Sequence, residues 1–388
     1  MYGMNSAAKE YDGTNKYIRI TDISEASNKF VPNPLTSPDG NLDDKYKLKR
    51  GDIVFARTGA STGKTYLYNE NDGNLYFAGF LIKFHIDKAD PKFIFYNTLK
   101  DEYLNWVSVM SVRSGQPGIN SNEYTKLPLY LPSIDEQNKI SKFLNKIDEK
   151  IQLLENKHIY YQNFKKYLMQ QIFAQKLRFA EFEDEWIPYK IGDISETYSG
   201  GTPSTSKKEY YKGNIPFIKS GEINNNVTEQ YITEDALKNS SAKKVQKGDL
   251  LLALYGATSG EVAISKIDGA INQAVLKIDN NMDNYFQYCY FLMYKDQIVH
   301  KYIQGGQGNL SANIIKKLEF KYPSLAEQKK ISQFFMSFDN KLELYENKII
   351  KYNNLKKGLL QQMFVYIFMP TILNFCAKIC CIKYFLKS

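Results

Sequence analysis

Hydrophobic residues recur at alternating spacings of four and three along two stretches of the chain, which is the period of a coiled-coil helix. The first stretch has its seam at Ile140, Leu144, Ile147, Ile151 and Leu154. The second has its seam at Ile331, Phe335, Phe338, Leu342 and Ile349. A helix from residue 135 to residue 173 would be about 58 Å long at ~1.5 Å per residue. We therefore predict two long helices that pack on each other as an antiparallel coiled coil.

The two helices belong to an internal repeat. Residues 126–173 align without a gap on residues 317–364, and 25 of the 48 positions are identical. Both copies contain a Pro-Ser-x-x-Glu-Gln run, at 132–137 and 323–328, in which the serine and the glutamate form a capping box that starts a helix. Such a match indicates that the chain is built twice on the same plan.

Outside the helices, short β-rich stretches bounded by Gly, Asn and Asp alternate with helical stretches, which predicts mixed domains of the α+β class. Two diverged copies are visible, since Gly-Asp at 51–52 matches 248–249 and the glycine pair of 59–63 matches 256–260. We predict two similar globular domains separated by the long helices, with a pseudo-twofold internal repeat. The second domain has a lead-in from residue 186 to 203 that the first lacks. Either the first domain begins differently or the chain is short at its N-terminus.

The repeat divides the chain into five parts. We predict a first globular domain at 1–132, a first spacer helix at 133–178, a second globular domain at 179–323, a second spacer helix at 324–364 and an apolar tail at 365–388. In the tail, Pro370, Asn374 and Lys378 interrupt the apolar run. Because a membrane span needs about 20 clean apolar residues, we expect an extra helix or a disordered extension instead.

The composition offers little catalytic chemistry. Three histidines and four cysteines are too few and too scattered for a zinc site or a disulfide framework. The run from Thr58 to Thr65 resembles a phosphate-binding loop but lacks its first glycine, and the carboxylates Asp39, Asp43 and Asp44 lie in a loop without the rigid frame that a metal needs. We therefore expect no catalytic residue, no metal site and no bound cofactor. The absence of a secretory leader indicates a cytoplasmic protein.

The net charge of +9 suggests an anionic partner. However, the surplus lies in the two helices and the tail, and both globular domains are nearly neutral overall. Two similar domains at a fixed separation suit a target with two different halves, such as DNA half-sites one helical turn, roughly 34 to 36 Å, apart. The charge is thus compatible with DNA binding, while the repeat is the feature that supports it.

Four motifs together resemble one known family. They are Gly-Gly-Thr-Pro at 200–203, the Gly-Asp pairs at 51–52 and 248–249, the helix openings at 132–137 and 323–328, and the Gln-Gln-hydrophobic-Phe helix ends at 170–173 and 361–364. In this arrangement the chain resembles the specificity (S) subunit of a type I restriction-modification enzyme over residues 1 to about 365. It departs from the family at both ends, in the missing lead-in and in the tail.

The resemblance implies a non-catalytic DNA-binding subunit. It implies one target-recognition domain for each half of an asymmetric site in double-stranded DNA, two methyltransferase (M) subunits and up to two restriction (R) subunits as partners, and no membrane. S-adenosylmethionine, ATP and Mg²⁺ would then be bound by the partner subunits. The alternative is a non-catalytic scaffold whose two domains, on a coiled-coil spacer, bind other proteins.

Candidate DNA contacts are basic side chains and polar residues in loops marked by glycine, because phosphates attract cations and base edges need hydrogen-bonding groups. In the first domain they are Arg19, Arg57, Lys64, Arg113, Gln116 and Asn120. In the second domain they are Lys219, Lys243, Lys244, Tyr255, Gln307 and Asn309. For each of them a solvated surface side chain is the alternative interpretation.

Overall fold

The computed structural model describes residues 1–302 and 309–364. The chain divides into two compact units, unit 1 with Met1–Glu155 and Asn347–Ser388, and unit 2 with Asn156–Glu346. Each unit mixes helices and strands, which confirms the predicted α+β class. The described residues include no helix with the length and hydrophobicity to cross a membrane. The tail that we predict to be an extra helix or an extension lies outside the described residues.

The described residues of unit 1 form three small sheets and the first part of a long helix. Its strands are β1 Ala8–Glu10, β2 Lys16–Ile18, β3 Thr36–Pro38, β4 Asp52–Ala56, β5 Thr65–Leu67, β6 Leu75–Phe77 and β7 Leu81–His85. Its helices are α1 Pro91–Asn97, α2 Asp101–Met110, α3 Ser121–Tyr124 and α4 Ile134–Phe173, which continues into unit 2. The central sheet is antiparallel in the order β5-β4-β7, β2 pairs in parallel with β6, and β1 pairs with β3.

Unit 2 repeats this plan with additional strands. Its strands are β8 Ile187–Lys190, β9 Ser195–Ser199, β10 Ile215–Ile218, β11 Tyr231–Ile232, β12 Lys243–Val245, β13 Leu250–Ala253, β14 Val262–Ile264, β15 Gly269–Ile271, β16 Val275–Asn280 and β17 Glu319–Tyr322. Its helices are α5 Ile191–Ile194, α6 Glu234–Lys238, α7 Asn284–Tyr302, α8 Ala312–Lys316 and α9 Leu325–Met363, which continues into unit 1. The sheets run β14-β13-β16-β9, β11-β10-β15-β12 and β17-β8.

Equivalent strands pair in the same way in the two units. The antiparallel set β5-β4-β7 corresponds to β14-β13-β16, and the parallel pair β2-β6 corresponds to β10-β15. The Gly-Asp motif has the same role in both, because Gly51 (φ +91°) and Gly248 (φ +97°) adopt a left-handed conformation that favours glycine. The Asp52 carboxylate then accepts the Lys49 amide at 2.9 Å, and Asp249 accepts the Gln246 amide at 2.7 Å, which closes the turn before the strand.

The repeated helix opening joins each helix to its globular domain. In unit 1 the Gln137 side chain accepts the Asp90 amide at 3.0 Å and donates to the Pro132 carbonyl at 2.8 Å. In unit 2 Gln328 accepts the Asp283 amide at 3.0 Å and donates to the Pro323 carbonyl at 2.9 Å. The identity of these glutamines in the repeat is therefore explained by the same buried contact made twice.

Within each unit the two helices run antiparallel. In unit 2, His158 lies 2.9 Å from Glu346, the rings of Tyr161 and Tyr345 are 5.6 Å apart, and Lys165 pairs with Asp339, so partner numbers fall along α9 as they rise along α4. In unit 1, Asp148 on α4 binds Lys356 on α9 at 2.6 Å. The predicted antiparallel coiled coil is thus confirmed inside each unit.

The seam positions are buried to different extents. Ile140, Leu144, Ile147, Ile151 and Leu154 are buried on α4, and Ile331 and Phe335 are buried on α9. Phe338, Leu342 and Ile349 are only partly buried. Opposite Phe338 the seam of α4 includes Tyr161, and the nearby His158 lies 2.9 Å from the carboxylate of Glu346. These amphipathic side chains cover the seam less completely than aliphatic ones.

In unit 2, only one glycine of the pair Gly256 and Gly260 is expected to be intolerant of a side chain. A Cβ at Gly260 (φ +84°) would stand 2.5 Å from Val299 Cγ2, whereas a Cβ at Gly256 (φ +78°) would have no neighbour within 4 Å. Gly256→Ala should therefore cost about 1 kcal/mol of unfolding free energy from backbone strain alone. Gly260→Ala should cost about 2 to 4 kcal/mol, because overpacking adds to the strain. Urea denaturation of the two variants checks this, and equal losses would contradict it.

Candidate nucleic-acid interface

Two loops of unit 1 join into one surface that we call the loop platform, made of residues 57–63 and 111–119. The Gly59 amide donates to the Pro117 carbonyl at 2.9 Å, and the Ile119 amide donates to the Arg57 carbonyl at 2.9 Å. The platform follows from the sequence because glycines at 59 and 63 turn the chain tightly after β4. Three predicted contacts, Arg57, Arg113 and Gln116, lie on it, and Asn120 follows directly.

Arg57 has the environment of a ligand-binding cation. Its guanidinium lies 5.0 Å from the ring centroid of Tyr2 and 5.9 Å from that of Phe80, and these rings are 42% and 58% exposed. Its Nε is buried and has no hydrogen-bond partner among the described residues. Because an unpaired buried donor is costly, an acceptor such as a phosphate or a base edge would stabilise this arrangement. Sequence reasoning missed the two rings, since nothing in the sequence links residues 2 and 80 to residue 57.

The other candidate DNA contacts on or next to the platform differ in whether their side chains already bind a neighbouring residue. Both carboxylate oxygens of Glu123 accept Arg113 Nη2 at 2.6 Å, so that charge is already paired. The Asn120 side chain caps α3 by accepting the Glu123 amide at 2.9 Å. Gln116 is exposed, and a Cβ at residue 59 would stand 2.9 Å from its Nε2. Glycine at 59 therefore leaves room for the Gln116 amide, which can donate and accept.

Arg19 and Lys64 lie away from the platform, around a turn at residues 20–25. Arg19 binds both carboxylate oxygens of Asp22 at 2.8 Å, and this hydrogen bonding raises the pKa of the guanidinium. Lys64 pairs with Glu25 and donates to the Ile23 carbonyl at 3.2 Å. Both cations therefore have partners within the unit, and any contact with DNA would have to compete with these ion pairs.

In unit 2 the equivalent loops gather three predicted contacts. The turn at 220–222, which follows Lys219, lies against the turn at 256–258, which follows Tyr255. The Leu310 amide donates to the Leu254 carbonyl at 2.9 Å and so places Asn309 beside Tyr255. Tyr255 and Asn309 are exposed. Gln307 lies outside the described residues.

Lys243 and Lys244 form a separate basic site on β12. This strand is at one end of the sheet β11-β10-β15-β12, and both lysines are exposed. Lys244 Nζ is 3.4 Å from Glu234, whereas no ion pair involves Lys243 within the described residues. Residues 1–302 and 309–364 contain no group of three or more His, Cys, Asp or Glu side chains placed to share a metal ion.

Comparison with known proteins places these units in context. The family model described as "Type I restriction modification DNA specificity domain" matches residues 4–160 and 183–353. The type I restriction enzyme MjaIX specificity subunit of Methanocaldococcus jannaschii is 35% identical over 175 residues, which are 42% of this chain and 39% of that protein. The EcoR124I/EcoR124II specificity subunit of Escherichia coli is 23% identical, over 65% of this chain and 64% of that protein. The matched regions thus span less than two thirds of these relatives.

Two solved structures share the fold. A crystal structure of a type I restriction-modification S subunit from M. genitalium aligns over 93% of this chain and 94% of its own, with a TM-score of 0.61 and 15% identity. A structure from a study of complex assembly and conformational transition in the type I restriction-modification system aligns over 94% and 95%, with a TM-score of 0.57 and 14% identity. At these identities the likeness concerns the fold alone.

Proposed function

Because the chain belongs to the type I restriction-modification DNA specificity family, we propose that it reads an asymmetric two-part DNA target, with one globular domain for each half. The observation that carries this proposal is the repeated plan of the two units, whose equivalent strands pair alike but whose surface loops carry different side chains. At equivalent positions after the first glycine-marked strand, unit 1 has Thr58 and unit 2 has Tyr255. Two domains with the same strand pairing but different loop side chains are suited to bind two different half-sites on one DNA duplex.

The loop platform of unit 1 is the proposed reading surface of the first domain. Arg57 and Gln116 bring a cation and an amide to one face, and these are groups that bind phosphates and base edges. In unit 2 the corresponding surface holds Lys219, Tyr255 and Asn309. In unit 1 the side chains of Arg113, Asn120, Arg19 and Lys64 already bind neighbouring residues, so we assign them to positioning loops and not to reading DNA.

We propose that the long helices recruit the methyltransferase subunits, two in number, and through them up to two restriction subunits. In unit 2 helix α4 carries Tyr160, Phe164 and Tyr167, which are 62%, 37% and 53% exposed, and Phe164 also packs on Phe338 of α9 with ring centroids 5.9 Å apart. Their spacing of four and three places them on one stripe, and an exposed apolar stripe on a helix is suited to a partner helix. S-adenosylmethionine, ATP and Mg²⁺ are assigned to those partners, and this chain acts in the cytoplasm without a catalytic step of its own.

Salt dependence distinguishes the basic residues. Each phosphate contact contributes about 0.9 to the slope of log affinity against log salt concentration. Lys243→Gln should therefore lower that slope by about 1, because Lys243 is exposed on β12. Lys64→Gln should leave it unchanged, since Lys64 is held by Glu25. Fluorescence anisotropy of the chain assembled with its cognate methyltransferase subunits, on duplex DNA at several salt concentrations, measures both slopes; equal slopes in the two variants would contradict the assignment.

Methylome sequencing tests the proposed function. A host that expresses this chain with a cognate methyltransferase subunit should acquire methylation at a two-part motif with an unspecified spacer, and the same host without the chain should not. Purification of the assembled complex from the same cells confirms that both proteins are present. If the complex assembles and no methylated motif appears, the chain does not specify DNA methylation. That result would favour the alternative of a non-catalytic scaffold that binds other proteins.

A further inference from the structure

In unit 1 two aromatic rings and one guanidinium form a group that we call the arginine cluster, made of Tyr2, Arg57 and Phe80. The guanidinium carbon lies 5.0 Å from the ring centroid of Tyr2 and 5.9 Å from that of Phe80. Arg57 is half-buried and its Nε is covered, and none of the described residues forms an ion pair or a side-chain hydrogen bond with it. The cation is therefore held by aromatic surfaces, and its terminal donors, Nη1 and Nη2, remain available for a ligand.

Hydrogen bonds of the loop platform and its neighbours fix the position of the cluster. The Arg57 amide donates to the Phe80 carbonyl at 3.1 Å, and the Arg57 carbonyl accepts the Ile119 amide at 2.9 Å. The Tyr2 hydroxyl accepts the Ser121 amide at 3.1 Å. A side chain anchored in this way loses little conformational freedom when it binds, so its donors are presented in a defined direction.

Unit 2 has the same frame without the cluster. The strand registers identify the equivalent residues, because the residue after β4 matches the residue after β13, the residue before β7 matches the residue before β16, and the partner of Ile82 matches the partner of Leu276. For Arg57, Phe80 and Tyr2 these equivalents are Leu254, Ala274 and Ser199. Leu254 is 2% exposed. The cluster therefore distinguishes the first domain from the second at positions where their strand pairing is the same.

The donors that the cluster offers match one base in the major groove. Guanine presents two acceptors there, O6 and N7, which can accept two parallel hydrogen bonds from one guanidinium. Adenine and cytosine present an amino donor, which a guanidinium cannot accept, and thymine presents the single acceptor O4. A phosphate needs a positive charge but no fixed orientation of the side chain that supplies it. The anchoring of Arg57 therefore favours a base over a phosphate, and its donors favour guanine among the bases.

We propose that Arg57 reads a guanine in the half of the target bound by the first domain, with Nη1 and Nη2 donating to O6 and N7 in the major groove. This inference rests on the proposed function and adds the base that one named side chain recognises. Tyr2 and Phe80 are positioning residues, since they hold the guanidinium. At the position of Leu254 the second domain has no donor side chain, so other groups read its half of the target.

Removal of the guanidinium separates base reading from phosphate binding. Arg57→Leu introduces the residue that unit 2 has at the equivalent position, so the frame accommodates it. In a host that expresses the variant with a cognate methyltransferase subunit, the methylated motif should keep both halves and become degenerate at one G·C pair, in the half that exchange of residues 1–132 changes. Arg50→Leu is the matched control, because Arg50 is exposed and precedes β4, whereas Arg57 follows it. This variant loses the same charge and should methylate the wild-type motif.

Base analogues test the contact on the wild-type complex, so that the result does not depend on a variant. In anisotropy titrations of the chain assembled with its methyltransferase subunits, each guanine of that half-site is replaced in turn by 7-deazaguanine, which lacks the N7 acceptor. One of these replacements should weaken binding at least about fivefold. In the complex of the Arg57→Leu chain, the same replacement should change the affinity by less than about twofold, because the contact is already lost.

Several outcomes would overturn the inference. An unchanged motif that the Arg57→Leu complex methylates at a lower level would assign Arg57 to a phosphate. A half-site without a G·C pair, or one in which no 7-deazaguanine replacement weakens binding of the wild-type complex, would exclude guanine as the base that Arg57 reads. A wild-type complex that assembles and yields no methylated motif would instead contradict the proposed function itself, and this inference with it.

Discussion

Glu327→Ala is expected to lower the unfolding free energy of unit 2 by about 3 kcal/mol, whereas Glu136→Ala should change that of unit 1 by less than about 0.5 kcal/mol. The two glutamates occupy the same position of the repeat. Glu327 is buried and holds Arg178 and Trp186, so its loss leaves a half-buried guanidinium without a counter-charge. Glu136 is exposed and has no ion pair among the described residues.

Hydrogen exchange measured by mass spectrometry gives the two values in one experiment. Amides of residues 331–338 report on unit 2, and those of residues 140–147 report on unit 1. Each segment serves as the control for the variant of the other unit, since both variants replace a glutamate by an alanine. Comparable loss of protection at both places would mean that the glutamates are equivalent, and would contradict the difference in burial on which the prediction depends.

Asp339→Ala is expected to destabilise unit 2 by about 3 kcal/mol, because it leaves Lys165 buried without a counter-charge. Lys165 is 9% exposed and pairs with Asp339, and the Tyr285 hydroxyl donates to the same carboxylate. Burial raises the pKa of Tyr285, so the phenol stays protonated and keeps its donor role. The Lys165 side chain is buried, whereas that of Asp339 is 40% exposed. The double variant Lys165→Met with Asp339→Leu should recover most of the loss, since it removes the buried lysine that lacks a counter-charge.

Unit 1 offers a matched control for this prediction. There Lys356 pairs with Asp148 at 2.6 Å and Tyr96 donates to Asp148 at 2.7 Å, but the Lys356 side chain is 18% exposed. Asp148→Ala should therefore cost only about 1 to 2 kcal/mol, because the remaining lysine can reach water. Urea denaturation measures the loss of unfolding free energy in Asp339→Ala, in Asp148→Ala and in the double variant. A larger loss for Asp148→Ala, or no recovery in the double variant, would contradict the account.

The long helices and the repeat could be predicted because their signals are local. Period 3.5, a serine cap and a gapless match are all read along the chain without knowledge of the fold. The packing of the two helices on each other followed from the need to bury two seams. The role of Gln137 and Gln328 could not be predicted, since their partners Asp90 and Asp283 lie more than forty residues away in sequence.

The candidate site was harder to predict for the same physical reason. The sequence shows that a side chain is basic, but it does not show whether a neighbouring carboxylate already pairs with that charge. Arg113 and Lys64 look alike in sequence to Arg57, yet Glu123 and Glu25 bind the first two and aromatic rings flank the third. These differences depend on long-range packing, which propensity and charge patterns do not report. The DNA contacts therefore stay predictions at the level of single residues.

Exchange of residues 1–132 for the corresponding domain of another specificity chain, followed by methylome sequencing, tests the central claim most directly. If each globular domain reads one half of the target, the methylated motif should change in one half and keep the other half unchanged. Assembly of the chimeric chain with the methyltransferase subunit, checked by size-exclusion chromatography, establishes that the exchange leaves the complex intact. A motif that changes in both halves, or in neither, while the chimera assembles would contradict the division of the chain into two independent readers.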